Sequence, residues 1–300
     1  MNGKQALSNF APLASQALEH LEVAIWSAAR QVGQLPLAAE AVRKIATGHG
    51  MPPVPGAAHE GFAGTESERI GLHFAEQMSF DVTRIDDQQR QKFLTTFGGD
   101  AVTLVQIFYV ADMIPRVRFA LDTIFGESPA ATPRHPAEEA PGLEEAFNEW
   151  IASVPLLESL DPILTEVVRL RGAGFHQCRL CQSIRYLPAL EAGAPDPMLE
   201  NAIHGAPTES DPRTATALRF VDEVLAHPGR LTQATIDGIK TNFDPPTLTE
   251  LVLDIARNAT NKVAVAFGAD SPRVESGFEI CEVQPDGSTR YGLADPRQPS

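Results

Sequence analysis

Between residues 65 and 125, apolar side chains recur at spacings of three and four, and this spacing commits the chain to helices. Val102, Val105, Ile107, Phe108 and Val110, followed by Ile114, Val117 and Leu121, trace one such face. The same period predicts helices over 65–80, 86–97, 99–125, 144–171, 178–192, 212–227, 231–242 and 246–267. Pro115 falls inside one of them and is expected to kink or split it. Pro52-Pro53, Gly98-Gly99 and Asp244-Pro245-Pro246 mark breaks, and Pro246 is placed to open a helix. Only 277–293 changes period. There, apolar and polar residues alternate around Pro285-Asp286-Gly287, which predicts a β-hairpin with Cys281 half-buried and structural on its first strand. The expected fold is all-α with a short C-terminal hairpin.

The helical pattern repeats. Shifting the chain by 146 residues lays 71–121 over 217–267 without a gap, pairing Leu72 with Leu218, Phe74 with Phe220, Phe97 with Phe243 and Val117 with Val263. The break at Gly98-Gly99 then falls on Asp244-Pro245. With a shift of 144, residues 21–42 match 165–186; Glu22 meets Glu166, while Cys178 and Cys181 meet Gln34 and Leu37. The reading is of two tandem helical units: 1–126 without cysteine and 143–272 carrying the cysteine pair. The Pro-, Ala- and Glu-rich stretch 127–142 is read as a linker, and 273–300 holds the hairpin and tail.

A formal charge of −15 argues against nucleic acid and anionic membranes, because both require a concentrated basic face. No segment is read as a membrane span, and the first 31 residues lack the apolar centre of a signal peptide. The expected compartment is the cytoplasm. Three cysteines do not make a secreted disulfide framework, so Cys178-x-x-Cys181 reads as redox chemistry or metal binding. A metal site would have to recruit His176 or His204, and no second cysteine pair exists to complete the four ligands of a structural zinc. Neither a metal nor a cofactor is expected.

The chemistry is expected from Glu166, His176, Cys178, Cys181 and Arg185. Gly172-Ala173-Gly174 should end the helix of Glu166, so that Cys178 opens the next one and its thiolate gains from the helix N-terminus. The spacing of three puts both sulfurs on one face, and Arg185 follows one turn later as a cation. Glu166 is the candidate general base or proton carrier, with His176 as a second proton-transfer group.

Glu166, eleven residues, Cys178-x-x-Cys181 and a following small-residue helix together resemble the alkyl hydroperoxidase D and carboxymuconolactone decarboxylase superfamily. The segment 217–268 looks like that family's downstream helices. The resemblance covers about 145–270 and, more weakly, 15–126. It implies an all-helical homo-oligomer, with 101–125 as a plausible contact surface. It also implies a thiol peroxidase in which Cys181 attacks a peroxide or other small electrophile, Cys178 resolves the product to a disulfide, and a thiol reductant protein resets the pair. The family histidine falls on Arg185, which cannot accept a proton. The alternative is a small-ligand binding or scaffold protein that keeps the fold without the chemistry.

Overall fold

The computed structural model of the protein describes residues 1–56, 61–126, 141–205 and 211–297. All but the last two residues of the expected linker lie outside this set, as do the final three residues of the tail. The described chain is all-α apart from a small sheet near its C-terminal end.

The first half runs α1 (Gly3–Phe10), α2 (Pro12–Gln31), α3 (Leu35–His49), α4 (Glu66–Asp81), α5 (Asp87–Phe97) and α6 (Ala101–Phe125). The second runs α7 (Leu143–Ser153), α8 (Pro162–Phe175), α9 (Arg179–Gln182), β1 (Ile184–Tyr186), α10 (Leu187–Glu191), α11 (Asp196–His204), α12 (Pro212–Ala226), α13 (Gln233–Asn242), α14 (Pro245–Asn258) and α15 (Asn261–Phe267). The hairpin β2 (Glu279–Val283) and β3 (Thr289–Leu293) follows. Helix starts are written locally. Thr65 with Glu68, and Asp86 with Gln89, form capping boxes at α4 and α5. Asp244 caps α14, with Pro245 in its first turn.

Shifted by 146, α4 falls on 212–227 and α5 on 233–243, so they overlie α12 and α13. The 3-10 turn Val82–Arg84 falls on the turn Pro228–Arg230. Side-chain contacts follow the same operation. Arg116 donates to Leu225 O at 2.6 Å, and Lys262, its counterpart at 116 + 146, donates to Ser79 O, the counterpart of Leu225, at 3.1 Å. The two halves therefore clasp each other reciprocally, and one continuous apolar core runs from Leu7 to Ala266.

The axis of that core is α6. From Ala101 to Ile124 most of its side chains are buried, and it packs on α1, α2, α3 and α14. It is not the outer contact surface expected of it. The run Asp87–Phe125 is also long and apolar enough to cross a membrane by length and composition, which the sequence reading did not register. Pro115 does not split α6, which stays helical to Phe125. The break comes in the other half, between α14 and α15 at Ala259-Thr260, and Asn261 stands where α6 has Pro115 (115 + 146).

Where the halves meet, a buried ionic cluster replaces apolar packing. Asp112 accepts from Arg116 at 2.6 Å, Lys262 at 2.5 Å and Ser79 at 2.7 Å, and His49 bonds Ser79 at 2.8 Å. Two cations against one carboxylate stay buried because backbone carbonyls of Ser79, Val224 and Leu225 take the remaining donors.

The expected helix over 178–192 is interrupted. Only α9 and α10 are helical, and between them β1 pairs in parallel with β2, bringing Arg185 opposite Ile280 and Tyr186 opposite Cys281. The hairpin reads as expected, with β2 and β3 antiparallel and Cys281 buried on the first strand. The β-branched Ile184 and aromatic Tyr186 satisfy a strand, and a tertiary partner a hundred residues away decides the matter.

Candidate functional site

The thiols sit where α8 turns into α9. Gly172 and Gly174 do not stop α8, which continues to Phe175. Gly174 is needed for packing, because a Cβ there would lie 1.9 Å from Ile203 O on α11. The helix ends instead in a Schellman motif. Cys178 N donates to Ala173 O at 2.9 Å and Gln177 N to Gly174 O at 3.1 Å, with Gln177 left-handed at φ 51. A side chain in that conformation costs about 1 kcal/mol. The turn aims Cys178 into the core, where its sulfur caps α9 by accepting from Cys181 N at 3.3 Å.

Cys178 is fully buried and Cys181 partly exposed. Their sulfurs lie 2.6 Å apart, with Cys178 as donor. The donated hydrogen bond, with burial behind it, pushes the Cys178 thiol up. That same bond pulls Cys181 down against burial, helped by the charge of Arg169, a hydrogen bond from Asn261 and the charge of Arg257. The low-pKa thiol is thus Cys181 and not the helix-opening Cys178, because a four-residue α9 has little dipole whereas Cys181 collects donors and cations.

Glu166 is completely buried and bound to Arg169 by bonds of 2.7 and 2.8 Å. Arg169 also donates to Cys181 O and Ile184 O, both at 2.8 Å. The glutamate therefore holds a cation beside the thiols. His176 is buried, and burial followed by the charge of Lys262 presses its pKa down to about 3. Neutral, it donates from Nδ1 to Asn261 Oδ1 at 2.9 Å.

Arg185 is not on the thiol face. The backbone leaves the helix after Gln182, so the expected one-turn relation to Cys181 is lost. Arg185 is buried over the ring of Phe278 and donates to Gln182 O at 2.7 Å and to Glu200 at 2.6 Å, clasping α11 to the thiol turn. Of the expected set, Cys178, Cys181, Glu166 and His176 converge, the last two through Arg169 and Asn261. The sequence reading missed Arg169, Asn261 and Arg257. Arg169 was accessible as the i+3 partner of Glu166; Asn261 depends on a helix break that no local signal announces.

A cleft of about 980 Å³ opens beside the turn, lined by Arg90, Phe175, Gln177, Arg179, Gln182 and Asp270 among others. Arg179 pairs with Asp270 at 2.9 Å, which fixes the outer wall of the turn. His204 also lines the cleft. Among the described residues, no three His, Cys, Asp or Glu side chains converge as metal ligands.

Two curated proteins of Mycobacterium tuberculosis resemble the chain. They are the uncharacterized protein Rv2313c of strain H37Rv and the uncharacterized protein MT2376 of strain CDC 1551. Each is 38% identical over 232 residues, which cover 75% of this chain and 81% of the relative. No model of a protein family matches the chain. No solved structure matches it either.

Proposed function

The chain belongs to one family with these two mycobacterial proteins, and from the chemistry of its thiol turn we propose that it is a thiol-dependent oxidoreductase of peroxidase type. One observation carries the reading: the Cys178 and Cys181 sulfurs lie 2.6 Å apart, within reach of a disulfide, beside the guanidinium of Arg169. That is a nucleophile with its resolving thiol already beside it. The resemblance to alkyl hydroperoxidase D-like proteins assigns the same two roles.

In this reading, the Cys181 thiolate attacks the terminal oxygen of a hydroperoxide. The O–O bond breaks, the alkoxide leaves as the alcohol after taking a proton from solvent, and Cys181 becomes a sulfenic acid. Cys178 then attacks the Cys181 sulfur. The S–OH bond breaks, and hydroxide leaves as water with the Cys178 proton. A dithiol reductant protein resets the disulfide by exchange and is itself oxidised. Glu166 serves by holding Arg169 in place, and the His176–Asn261 pair by orienting a donor at the sulfur. A reducing cytoplasm suits a pair that must return to dithiols.

The test is peroxide consumption by the reduced protein. Cys181→Ser should abolish it. Cys178→Ser should stop after one turnover, with a sulfenic acid that dimedone traps at residue 181. Consumption no faster than that of free cysteine would end the proposal. The alternative, a small-ligand binding protein, draws on the full burial of Cys178 and the engagement of Glu166 by Arg169. Affinity for a small molecule that is unchanged in the double serine variant would favour it.

A further inference from the structure

We propose that the cleft beside the thiol turn binds a small organic anion, with Arg90 and Arg171 holding its charged group. Neither Cys178 nor Cys181 lines the cleft, so the inference goes beyond the thiol reading and does not depend on it.

The cleft has two walls. One is the turn Val82–Arg84 with the start of α5 and the end of α15; the other is the end of α8 with the end of α11. Each wall carries a guanidinium fixed by backbone at a helix end. Arg90 Nε donates to Ala266 O at 3.0 Å and Nη2 to Ile85 O at 3.1 Å, and the group lies over Gly268, where a Cβ would meet its Cζ at 3.1 Å. Its carboxylate partner Asp87 is fully exposed, and such a pair contributes little. Arg171 lies over Gly205 in the same way. Its Nε donates at 2.5 Å to Asp222, which does not line the cleft, and its Nη1 stands 3.4 Å from Ile203 O, the outer limit for a hydrogen bond. Its Nη2 has no hydrogen-bond partner among the described residues. Both side chains are less than a fifth exposed, so they are held in place while still lining the cleft. Arg179, the third arginine there, is neutralised by Asp270.

The repeat supplies an internal control. Ser27 stands in place of Arg171 (171 − 144), and the buried Ile236 in place of Arg90 (90 + 146). Arg179, Gln182 and Asp270 become Leu35, Ala38 and Ile124. There the space is closed. Gly229, the counterpart of Thr83 on the cleft wall, packs so tightly that a Cβ on it would lie 2.1 Å from His49 O at the end of α3. In the second half the stretch matching α3 leaves the helix at Gln182, and a Cβ on Gly193, which matches His49, would meet nothing within 4 Å. The same departure that removes the closing contact thus comes with cationic and polar residues at positions that are mostly apolar in the other copy. A helix cap needs no such space, whereas a charged ligand does.

A chain of net charge −15 repels anions in general, so two fixed guanidiniums in a recess favour one that is specifically bound. Their forked donors match carboxylate and phosphate oxygens. Val82, Phe175 and Phe267 line the same cleft and suit an apolar body, and about 980 Å³ is ample for a small molecule. The ligand class is therefore an organic acid or phosphate ester on an apolar body.

Calorimetric titration of the full chain with phenyl phosphate, benzoate and neutral benzamide tests this. The two anions carry different heads on one ring, so the tighter of them identifies the head group. At least one should bind, with benzamide weaker by about tenfold or more, the size of a charge-assisted hydrogen bond. Arg90→Gln and Arg171→Gln should each weaken that anion about tenfold, with part of the loss restored by lysine at the same positions. Lys92→Gln, at an exposed position outside the cleft, should change nothing. Thr83→Trp fills the cleft while keeping both arginines and should abolish binding, so the test stands even where an arginine variant fails to fold. Absence of binding by either anion at millimolar concentration, benzamide as tight as the anions, or affinity that survives Thr83→Trp or both arginine variants would overturn the site.

Discussion

The two halves of this molecule share a chain path and differ where the chemistry lies. In the first half α3 is one unbroken helix, with Gln34 and Leu37 where the second half has its cysteines. In the second half the same stretch becomes α9, β1 and α10. Likewise α6 is continuous, while its counterpart breaks into α14 and α15 just before Asn261, which pairs with His176 ahead of the thiol turn. Both departures from the repeat serve the thiol turn. The unmodified copy supplies a rigid half-core and the buried cluster that braces the modified one.

The hardest way to break that division is to remove the shared bond between the halves. Asp112→Ala would leave Arg116 and Lys262 buried with no carboxylate between them. Loss of one partner from a buried ionic cluster costs about 3–5 kcal/mol. The urea midpoint should fall accordingly, with both halves unfolding in one transition because they share a core. Two separated transitions, or a loss below about 1 kcal/mol, would mean that the halves stand independently.

Acid should act next, through one histidine in each half. Burial, followed by the charge of Arg116, lowers His49 to about 4, while His176 lies at about 3. Both are neutral in the folded chain, while the unfolded chain binds their protons below about 6.5. The unfolded state therefore holds more protons between pH 6.5 and 4, and stability falls as pH drops through that window. Each histidine contributes a slope of about 1.4 kcal/mol per pH unit, so about 2 kcal/mol each is lost by pH 5. Urea denaturation at pH 7 and 5 measures this. His49→Gln should remove about half of the difference, and an unchanged slope in that variant would assign the acid sensitivity elsewhere.

Much of this was legible in the residues. Apolar spacing gave α4, α5, α6, α12 and α13, but it ran α7 with α8 and α14 with α15 into single helices and set no bounds for α1, α2, α3 or α11; the break at Gly98-Gly99 against Asp244-Pro245 suggested the repeat. The alternation of 277–293 gave the hairpin. The failures share one cause. Gly172-Ala173-Gly174 reads as a stop, Pro115 as a kink or a split and residues 178–192 as a helix, because each judgement used only neighbours in sequence. In the fold, α11 explains Gly174, α6 runs unsplit through Pro115 inside the core, and β2 recruits Ile184–Tyr186 into a strand. The site was half legible for the same reason. Cys178, Cys181 and Glu166 come from one stretch, but Asn261 and Arg257 come from helices eighty residues downstream.

The two glycines of α8 give the smallest effect and the sharpest contrast, since the sequence treats them as one signal. At Gly174, an added Cβ would press on the Ile203 carbonyl at 1.9 Å, and backbone cannot rotate away as a side chain would. Gly174→Ala should push α8 from α11 and cost about 1–3 kcal/mol. At Gly172 an added Cβ meets nothing within 4 Å, and the residue lies inside the helix. Gly172→Ala should instead stabilise the protein by about 0.5–1 kcal/mol, because alanine loses less backbone freedom on folding and restores helix propensity. Its counterpart in the first half is already Ala28 (172 − 144), buried in the last turn of α2, while Gly174 falls on Arg30. Thermal midpoints that move in opposite directions would show that one glycine is required by packing against α11 and the other by nothing in the second half. Destabilisation by both would mean that the turn at Cys178 needs the slack that two adjacent small residues give α8.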